Sequence, residues 1–313
     1  MQINKSDYSG VTTLRKGKSK MIDKIIAAFF SVVTFFVSIF YTPTPITPVN
    51  PETLPEATIE QTVTVMTYNI YMGGTGEKSP ENRAPLIKQN VESYNPDSFG
   101  MQEVTEDWYE MLKEMFPDYG WVGVGRDRDL GGEASPIFYK KDKFELLDGG
   151  TFWLSKTPEK PSRGWDAMFN RVCTYAVLKD KETGFTYAHF NAHFDHLGVI
   201  ARQESVAVVT NKIAEIAPDM PVVFTGDLND NRESNMYSAV IGSGFIDSRD
   251  LSGSDDVGET YHGYSEITKK ELDYIFVNAF VKSVNSYEVN REKLNGIYPS
   301  DHHPVVSEIT LFN

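Results

Sequence analysis

Cysteine and positive charge are both scarce in this sequence. Cys173 is the only cysteine among 313 residues, so no intramolecular disulfide can form. Acidic side chains number 44 against 30 basic ones, which gives a net charge of -14. Residues 1–60 hold six basic and five acidic side chains, so residues 61–313 carry a net charge of -15. Such an acidic domain is poorly suited to tight, sequence-independent binding of duplex phosphates, although local engagement of a nucleic acid stays open.

Long apolar runs are scarce as well, with one exception near the N-terminus. Ile25–Tyr41 contains 17 consecutive residues without a charge and follows a basic stretch. This length is at the short end for a membrane-spanning helix. Positive charge on the N-terminal side predicts that the residues after the run lie outside the membrane. The run is either an uncleaved signal anchor or a cleaved signal peptide, and the lack of a small-x-small cleavage signal after it favours the anchor.

These features divide the chain into four parts. A basic tail (residues 1–24) precedes the apolar segment (25–41), and a Pro/Thr-rich linker (42–60) leads into the remainder (61–313). No further linker interrupts the chain, so one large domain is favoured over two small ones. The predicted location is membrane-anchored with the domain extracellular, or secreted. No protein partner is predicted.

The domain consists mainly of short β-branched segments, with a few helical patterns between them. Gln61–Asn69 is typical of a strand, and Arg171–Leu178 with Phe185–His193 is typical of a hairpin. His196–Ile216 carries apolar residues at helical spacing. Strands and helices do not strictly alternate. This predicts an α/β fold of two mixed, mainly antiparallel sheets packed face to face, with helices outside.

The stretch Pro221–Asp230, PVVFTGDLND, combines a buried strand with polar side chains at its end. Asp227 and Asn229 are two residues apart and share a face on an extended chain. A carboxylate in this position can activate a water or hold a hard metal, and an amide beside it can orient a substrate. Taken alone, the stretch is better explained as a strand followed by an Asp/Asn turn.

Polar groups also stand at the ends or openings of other predicted strands. Each group alone is weak evidence for a functional site, because such residues are common in turns. Together they are the ingredients of a hard-metal site with general acid–base groups. They are Asn69, Glu103, His193 with Asp195, Asp227 with Asn229, Asp273, and Asp301 with His302.

The order of these motifs resembles a known superfamily. TYN, QE, NxHxDH, GDLN, LDYIFV and SDHHP follow one another as they do in the endonuclease/exonuclease/phosphatase (DNase I-like) superfamily, over about residues 62–313. The resemblance implies a four-layered α/β sandwich that hydrolyses phosphoesters with Mg²⁺ or Mn²⁺. It also implies that Glu103, Asn69 and Asp301 lie at the metal. The additional acidic residue that some members carry two positions after the asparagine is absent, since Ile70 and Tyr71 follow.

The same resemblance implies roles for the acid–base groups. Asp227 would orient or deprotonate the attacking water, and Asn229 would fix the water or the phosphate. His302 would contact the phosphoryl oxygens as a cation held by Asp273, because a carboxylate partner favours the imidazolium. His193 would be the second catalytic histidine.

Two further sets of residues complete the predicted site. Glu133 falls where a carboxylate partner of His193 is expected. Residues 150–171 resemble a bacterial subgroup of the superfamily, in which Trp165 and Arg171 would face the substrate. For Trp165, a tryptophan packed within its loop is an equally good interpretation.

The leading hypothesis is a divalent-metal-dependent phosphoesterase that hydrolyses a small or exposed phosphoester: a sugar phosphate, a nucleotide or a lipid headgroup. An extracellular Mg²⁺-dependent nuclease is the alternative. It is less favoured because of the acidic domain, and because Asp127 and Asp129 flank and nearly neutralise Arg126 and Arg128. A catalytically silent, membrane-tethered binding module is a remote alternative, since it predicts that at least one motif residue would be replaced.

Overall fold

The computed structural model describes residues 59–129, 131–265 and 270–313. The predicted tail, the apolar segment and nearly all of the linker (residues 1–58) lie outside the described residues. Within the described part of the chain, no helix is long and apolar enough to cross a membrane. The membrane segment of residues 25–41 therefore stays a prediction.

The described residues form two sheets and several helices. The strands are β1 (Glu60–Asn69), β2 (Ser98–Gln102), β3 (Tyr119–Val122), β4 (Ile137–Lys140), β5 (Phe144–Trp153), β6 (Val172–Asp180), β7 (Thr186–His193), β8 (Val222–Asp227), β9 (Ile246–Asp247), β10 (Asp273–Val277), β11 (Val281–Val289) and β12 (Val305–Phe312). The helices are α1 (Pro80–Tyr94), α2 (Glu106–Met115), α3 (Val199–Ile216), α4 (Asn235–Gly242) and α5 (Ser248–Ser252), with a 3₁₀ turn at Gly76–Lys78.

Each sheet contains one parallel pair among antiparallel neighbours. The first sheet has the order β11-β12-β1-β2-β4-β3, and β1 runs parallel to β2. The second has the order β5-β6-β7-β8-β10-β9, and β7 runs parallel to β8. The other pairings are antiparallel. The prediction of two mixed, mainly antiparallel sheets with helices is confirmed.

Three hydrophobic cores hold the layers together. Between the sheets, Val65 of β1 and Ile275 of β10 belong to one buried cluster. On the outer face of the first sheet, α1 and α2 bury a second cluster around Trp108. On the outer face of the second sheet, Val209 of α3 packs in a third cluster with Phe224 of β8. Because burial of each large apolar side chain stabilises by about 1.5–3 kcal/mol, these clusters stabilise the packing of the layers of this α/β sandwich.

The observed boundaries agree with the predicted ones to within a few residues, with two informative differences. The helix predicted over His196–Ile216 begins only at Val199. Its first residues form a turn instead, because Asp195 Oδ1 accepts the N–H groups of Leu197 and Gly198 at 3.1 and 2.8 Å. β9 and α5 have no counterpart in the sequence prediction, since two and five residues are too few to display a hydrophobic period.

Candidate active site

The predicted site residues meet where the parallel strands of the two sheets end. Asn69 ends β1 and His193 ends β7, while Asp227 ends β8. Asp273 opens β10 and pairs directly with Asp227 in the antiparallel register. Asn69 Nδ2 donates to Asp227 Oδ2 at 2.9 Å, which joins the two sheets at this edge. The fold therefore assembles residues that are more than 150 positions apart in the chain.

His302 lies in a pocket of acceptors just before β12. Its Nδ1 is 2.8 Å from Asp273 Oδ2, and the Thr260 hydroxyl donates to the same oxygen at 2.6 Å. Its Nε2 is 3.7 Å from Asp227 Oδ2. Burial opposes the charge on the ring, but the carboxylates of Asp273 and Asp227 outweigh it and raise the pKa of His302 to about 10. His302 is therefore an imidazolium at neutral pH.

Asp227 is the acid–base group at the centre of the site. Burial, followed by repulsion from Asp273, raises the pKa of Asp227 to about 7. Its two oxygens are held separately, because Oδ2 accepts from Asn69 and Oδ1 accepts the N–H of Asn229 at 2.9 Å. Asn229 in turn donates its side-chain amide to Phe194 O at 3.0 Å. A fixed carboxyl group that titrates near neutral pH can take a proton from water.

Unusual backbone conformations aim these side chains. Glu103 follows the last residue of β2 with a φ of 63°, and Asn229 has a φ of 53°. Gly226 has a φ of 153°, and a Cβ built there would lie 2.1 Å from Ala192 O of the neighbouring strand. Only glycine permits this close approach of β7 to β8. Left-handed conformations at non-glycine residues are costly and cluster at functional sites.

A set of oxygen donors lies beside the acid–base groups. Asn69 Nδ2 donates to Glu103 Oε1 at 3.1 Å, and Glu103 Oε2 accepts the N–H of Met72 at 2.8 Å. Burial raises the pKa of the half-buried Asp301, His302 opposes the shift, and Glu103 reinforces it, so the two carboxylates feel one another. Two carboxylates suit a hard divalent cation such as Mg²⁺ or Mn²⁺. Asn69 turns its amide nitrogen to Glu103 and its oxygen to the N–H of Tyr71, so its place at the metal stays a prediction.

A second cluster could also be read as a metal site. One potential ligand atom from each of Asp227, Asp273 and His302 lies within 4.8 Å of the others. Two of the ligand atoms available there, His302 Nδ1 and Asp273 Oδ2, already share a hydrogen bond at 2.8 Å. A nitrogen ligand is also less typical of Mg²⁺ than oxygen. These two observations favour proton chemistry over metal binding at this cluster.

His193 also approaches Asp227. Its Nε2 is 3.5 Å from Asp227 Oδ2, and its Nδ1 is 3.8 Å from Glu133 Oε2. Glu133 forms its close ion pair elsewhere, with Arg126 Nη2 at 2.8 Å. Burial lowers the pKa of His193 well below its usual value, and the charges of Arg171 and Arg126 add to the effect. His193 is therefore a neutral imidazole.

The ion pair with Glu133 also changes the interpretation of Arg126. Its guanidinium is buried and pairs with this carboxylate, whereas the sequence prediction has the flanking Asp127 and Asp129 neutralise it. The guanidinium lies 4.6 Å from the centre of the Phe169 ring, a cation–π distance. Arg126 is therefore the ion-pair partner of Glu133, which lies beside His193.

The two predicted substrate-side residues are partly engaged by the protein itself. Arg171 Nε is 3.3 Å from Asp195 Oδ2, and its Nη2 is 3.1 Å from His196 Nδ1. Its side chain is only 6% exposed. Trp165 is half-buried against the core of the second sheet, with a φ of 41°. Direct contact of either residue with a substrate stays a prediction.

Two residues of the site are absent from the sequence prediction. Thr260 lies in an irregular stretch before β10 that shows no motif, so no local signal distinguishes it. Arg83 is fully buried in the first turn of α1. A signal for Arg83 does exist, because it stands four residues before the buried Ile87 on the face of α1 that packs inward.

Comparison with known proteins agrees with this fold. A family model described as "Endonuclease/Exonuclease/phosphatase family" matches residues 66–302. A crystal structure of an endonuclease/exonuclease/phosphatase family protein from Bacteroides thetaiotaomicron is 34% identical, with a TM-score of 0.76, over 81% of this chain and 99% of that one. The mannosyl-6-phosphatase of the same species is 35% identical, with a TM-score of 0.73, over 79% of this chain and 99% of that one.

A more distant relative is 2′,5′-phosphodiesterase 12 from Bos taurus, which is 25% identical over 279 residues, or 72% of this chain and 45% of that protein. The chain spans about half the length of the first curated relatives that it matches, or less. The chain belongs to the endonuclease/exonuclease/phosphatase family, as its motifs predicted. Members of this family include phosphatases and phosphodiesterases, which hydrolyse phosphoester bonds.

Proposed function

We propose that this protein is a divalent-metal-dependent phosphatase that acts on a small or exposed phosphoester, such as a sugar phosphate, a nucleotide or a lipid headgroup. One observation carries the proposal: a carboxyl group with a pKa near 7, Asp227, lies 3.7 Å from His302, an imidazolium with a pKa near 10. A proton acceptor and a fixed cation at this separation are what hydrolysis of a phosphoester requires.

Asp227 accepts the proton of the attacking water, whose oxygen forms the new bond to phosphorus while the bond to the alcohol breaks. Asn229 and Asn69 hold the carboxyl group of Asp227 in orientation through its two oxygens. His302 donates from Nε2 to a phosphoryl oxygen and stabilises the negative charge that develops there. Asp273 keeps His302 protonated and fixes the ring through Nδ1.

His193 lies beside Asp227, and its ring is kept uncharged by burial and the two neighbouring arginines. A neutral imidazole can donate one N–H to a phosphoryl oxygen without adding charge. Its contribution is therefore one of positioning.

Glu103, Asn69 and Asp301 would hold Mg²⁺ or Mn²⁺. When bound, the cation would polarise the phosphoryl group and offset negative charge on its oxygens. The closeness of the Glu103 and Asp301 carboxylates, which influence one another's charge, supports this assignment.

Two findings favour a small substrate over a nucleic acid. The domain carries a net charge of -15, which opposes the approach of a polyanion. The chain is also similar to a mannosyl-6-phosphatase over nearly the whole of that protein. A sugar phosphate is thus the substrate to test first.

A nuclease is the second candidate, because some relatives act on nucleic acids. The chain matches 2′,5′-phosphodiesterase 12 and, at 21% identity, an RNA exonuclease from Saccharomyces cerevisiae, over 72% of its length in each case. Such a nuclease would hydrolyse diesters with the same groups.

The two candidates separate in one assay. The full chain, with Mg²⁺ or Mn²⁺, is incubated with a panel of phosphomonoesters and with supercoiled plasmid, and Asp227→Asn controls for contaminating activity. We expect release of free phosphate without nicking. Nicking without phosphate release would replace the phosphatase by the nuclease, and inactivity on both would reject the proposal.

Membrane attachment through residues 25–41 is a separate proposal about location, with the domain extracellular. It is supported by the uncharged run and the basic stretch before it. Fractionation of cells that express the full chain tests it. Recovery with membranes and digestion by added protease are expected, whereas a processed protein in the medium would indicate a cleaved signal peptide.

A further inference from the structure

Arg83 is the most deeply buried cation of the described chain that makes no ion pair. Its side chain is 0% exposed, and no carboxylate within the described ranges forms an ion pair with its guanidinium. Burial lowers the pKa of Arg83, but the group stays charged because arginine is not deprotonated in proteins. A buried charge must be satisfied by other means.

All five hydrogen bonds of the Arg83 side chain go to backbone carbonyl groups, and its guanidinium also lies 5.2 Å from the ring centres of Tyr71 and Trp108. Nε donates to Lys78 O at 2.7 Å. Nη1 donates to Ile70 O at 2.5 Å and to Pro299 O at 3.0 Å. Nη2 donates to Tyr71 O at 2.6 Å and to Gly73 O at 2.7 Å. Five N–H groups meet five carbonyl oxygens, so the complete donor set of the side chain is used.

Four of these five carbonyl groups belong to two segments that carry the metal-side donors, and the fifth, Lys78 O, lies in the 3₁₀ turn before α1. The first segment, residues 70–73, follows Asn69. The N–H of Tyr71 donates to Asn69 Oδ1 at 3.0 Å, and the N–H of Met72 donates to Glu103 Oε2 at 2.8 Å. The peptide groups that Arg83 holds are therefore next to those that aim Asn69 and Glu103.

The second segment leads into Asp301. Pro299, whose carbonyl accepts from Arg83, is two residues before Asp301 in the chain. Ser300 lies between them, and its hydroxyl donates to Asn69 O at 2.7 Å. Arg83 and Ser300 thus both connect the chain at residues 69–73 with the chain that leads into Asp301. The connection through Arg83 is charged, and the one through Ser300 is neutral.

We propose that Arg83 is a positioning residue that fixes the distance between the Asn69–Glu103 pair and Asp301, and so sets the affinity of the site for its divalent cation. This inference rests on the metal assignment of the proposed function. Arg83 acts through backbone groups and touches neither the substrate nor the cation. Its effect therefore falls on metal binding and much less on turnover at saturating metal.

The test is made in the full-length protein. It asks whether metal binding depends on the charge of residue 83 or on the arrangement of its N–H donors. Arg83→Lys keeps the charge but offers three donors in place of five, and Arg83→Met removes the charge and all donors. Arg232→Lys is the matched control, because Arg232 is held by the carboxylates of Asp247 and Asp250. Titration calorimetry with Mn²⁺ gives the metal Kd, and steady-state kinetics over a range of Mn²⁺ separates metal activation from kcat.

We expect Arg83→Lys to raise the metal Kd by about 10- to 100-fold, the range for groups that orient metal ligands. Arg83→Met should raise the Kd further. Turnover of Arg83→Lys should recover at high Mn²⁺, and Arg232→Lys should match wild type. A wild-type Kd in both Arg83 variants would overturn the inference. Failure of the wild-type protein to bind Mn²⁺ or release phosphate would instead reject the proposed function.

Ser300→Ala provides a second test if the Arg83 variants do not fold. It removes only the hydroxyl bond to Asn69 O, the neutral connection between the two segments. A weaker metal Kd with an unchanged unfolding midpoint would support positioning by this joint. An unchanged Kd would contradict it.

Discussion

The two histidines of the site are alike in burial and opposite in charge. His302 is 5% exposed and His193 is 6% exposed, and both lie within 4 Å of Asp227. The pKa of His302 is raised to about 10 by Asp273 and Asp227, against the effect of burial, whereas burial together with Arg171 and Arg126 lowers that of His193. Burial alone would make both neutral. The neighbouring charges decide which histidine is the cation.

Asp227 lies close to both histidines, and its substitution should cause the largest loss of activity. Asp227→Asn keeps the shape of the side chain but removes its capacity to take a proton. We expect kcat to fall by about 10²–10⁴-fold, the usual contribution of a general base. Asp219→Asn, at an exposed turn, is the control and should leave kcat unchanged. Turnover of Asp227→Asn close to wild type, with the fold intact by circular dichroism, would remove Asp227 from the mechanism.

Paired substitutions test the difference between the histidines directly. His302→Gln should lower kcat by about 10²–10³-fold, as loss of a charged donor to a transition state does. His193→Gln should cost about tenfold less, because a hydrogen bond from a charged group stabilises by about 1–2 kcal/mol more than a neutral one. Steady-state kinetics on one monoester measures both. Equal losses would show that the opposite charges have no catalytic consequence.

The dependence of activity on Mn²⁺ tests the proposed metal donors. Glu103→Gln removes a carboxylate from the proposed donor set, and we expect at least about a tenfold weaker activation by Mn²⁺. Activity should be partly rescued as Mn²⁺ is raised. Glu106→Gln, an exposed residue in the first turn of α2, is the matched control. Activity of Glu103→Gln that does not respond to Mn²⁺ would argue against Glu103 as a ligand.

The pH dependence should show a smaller but specific effect. We expect kcat/KM to rise through about pH 7 as Asp227 ionises and to fall through about pH 10 as His302 loses its proton. Asp273→Asn removes the carboxylate that contributes most to the raised pKa of His302, so the alkaline limb should move to lower pH. An alkaline limb that stays in place would assign it to another group.

The stability of the folded protein should depend on pH in the direction that the raised pKa of His302 sets. The pKa of His302 in the folded protein is above its ordinary value of 6.5, so its stabilising contribution is complete below about pH 6.5 and is lost as pH rises through about 10. Asp273→Asn should therefore lower the unfolding midpoint more at pH 6 than at pH 10. Scanning calorimetry at the two values measures this difference.

The strand ends could be predicted from the sequence, because local patterns encode them. Alternating β-branched residues define β1 and β8, and Asn69 and Asp227 stand where these strands stop. The motif order added the family, which the comparisons confirm. These signals lie within short stretches of chain, where period and turn chemistry are visible.

Long-range pairing could not be predicted in the same way. Glu133 lies 3.8 Å from His193, but its closer ion pair is with Arg126 at 2.8 Å, a partner that the sequence prediction did not name. Thr260 reaches Asp273 from a stretch with no motif. The opposite charges of the two histidines likewise follow from side chains brought together only by the fold.

The most direct test is a titration of the histidine ring nitrogens by nuclear magnetic resonance in the metal-free protein. Spectra of His302→Gln and His193→Gln assign two of the six histidines. We expect the His302 ring to stay doubly protonated from pH 6 to about pH 9, and the His193 ring to stay neutral over the same range. A His302 ring that loses its proton near pH 6.5, or a His193 ring that is charged at pH 6, would contradict the division of charge on which this mechanism depends.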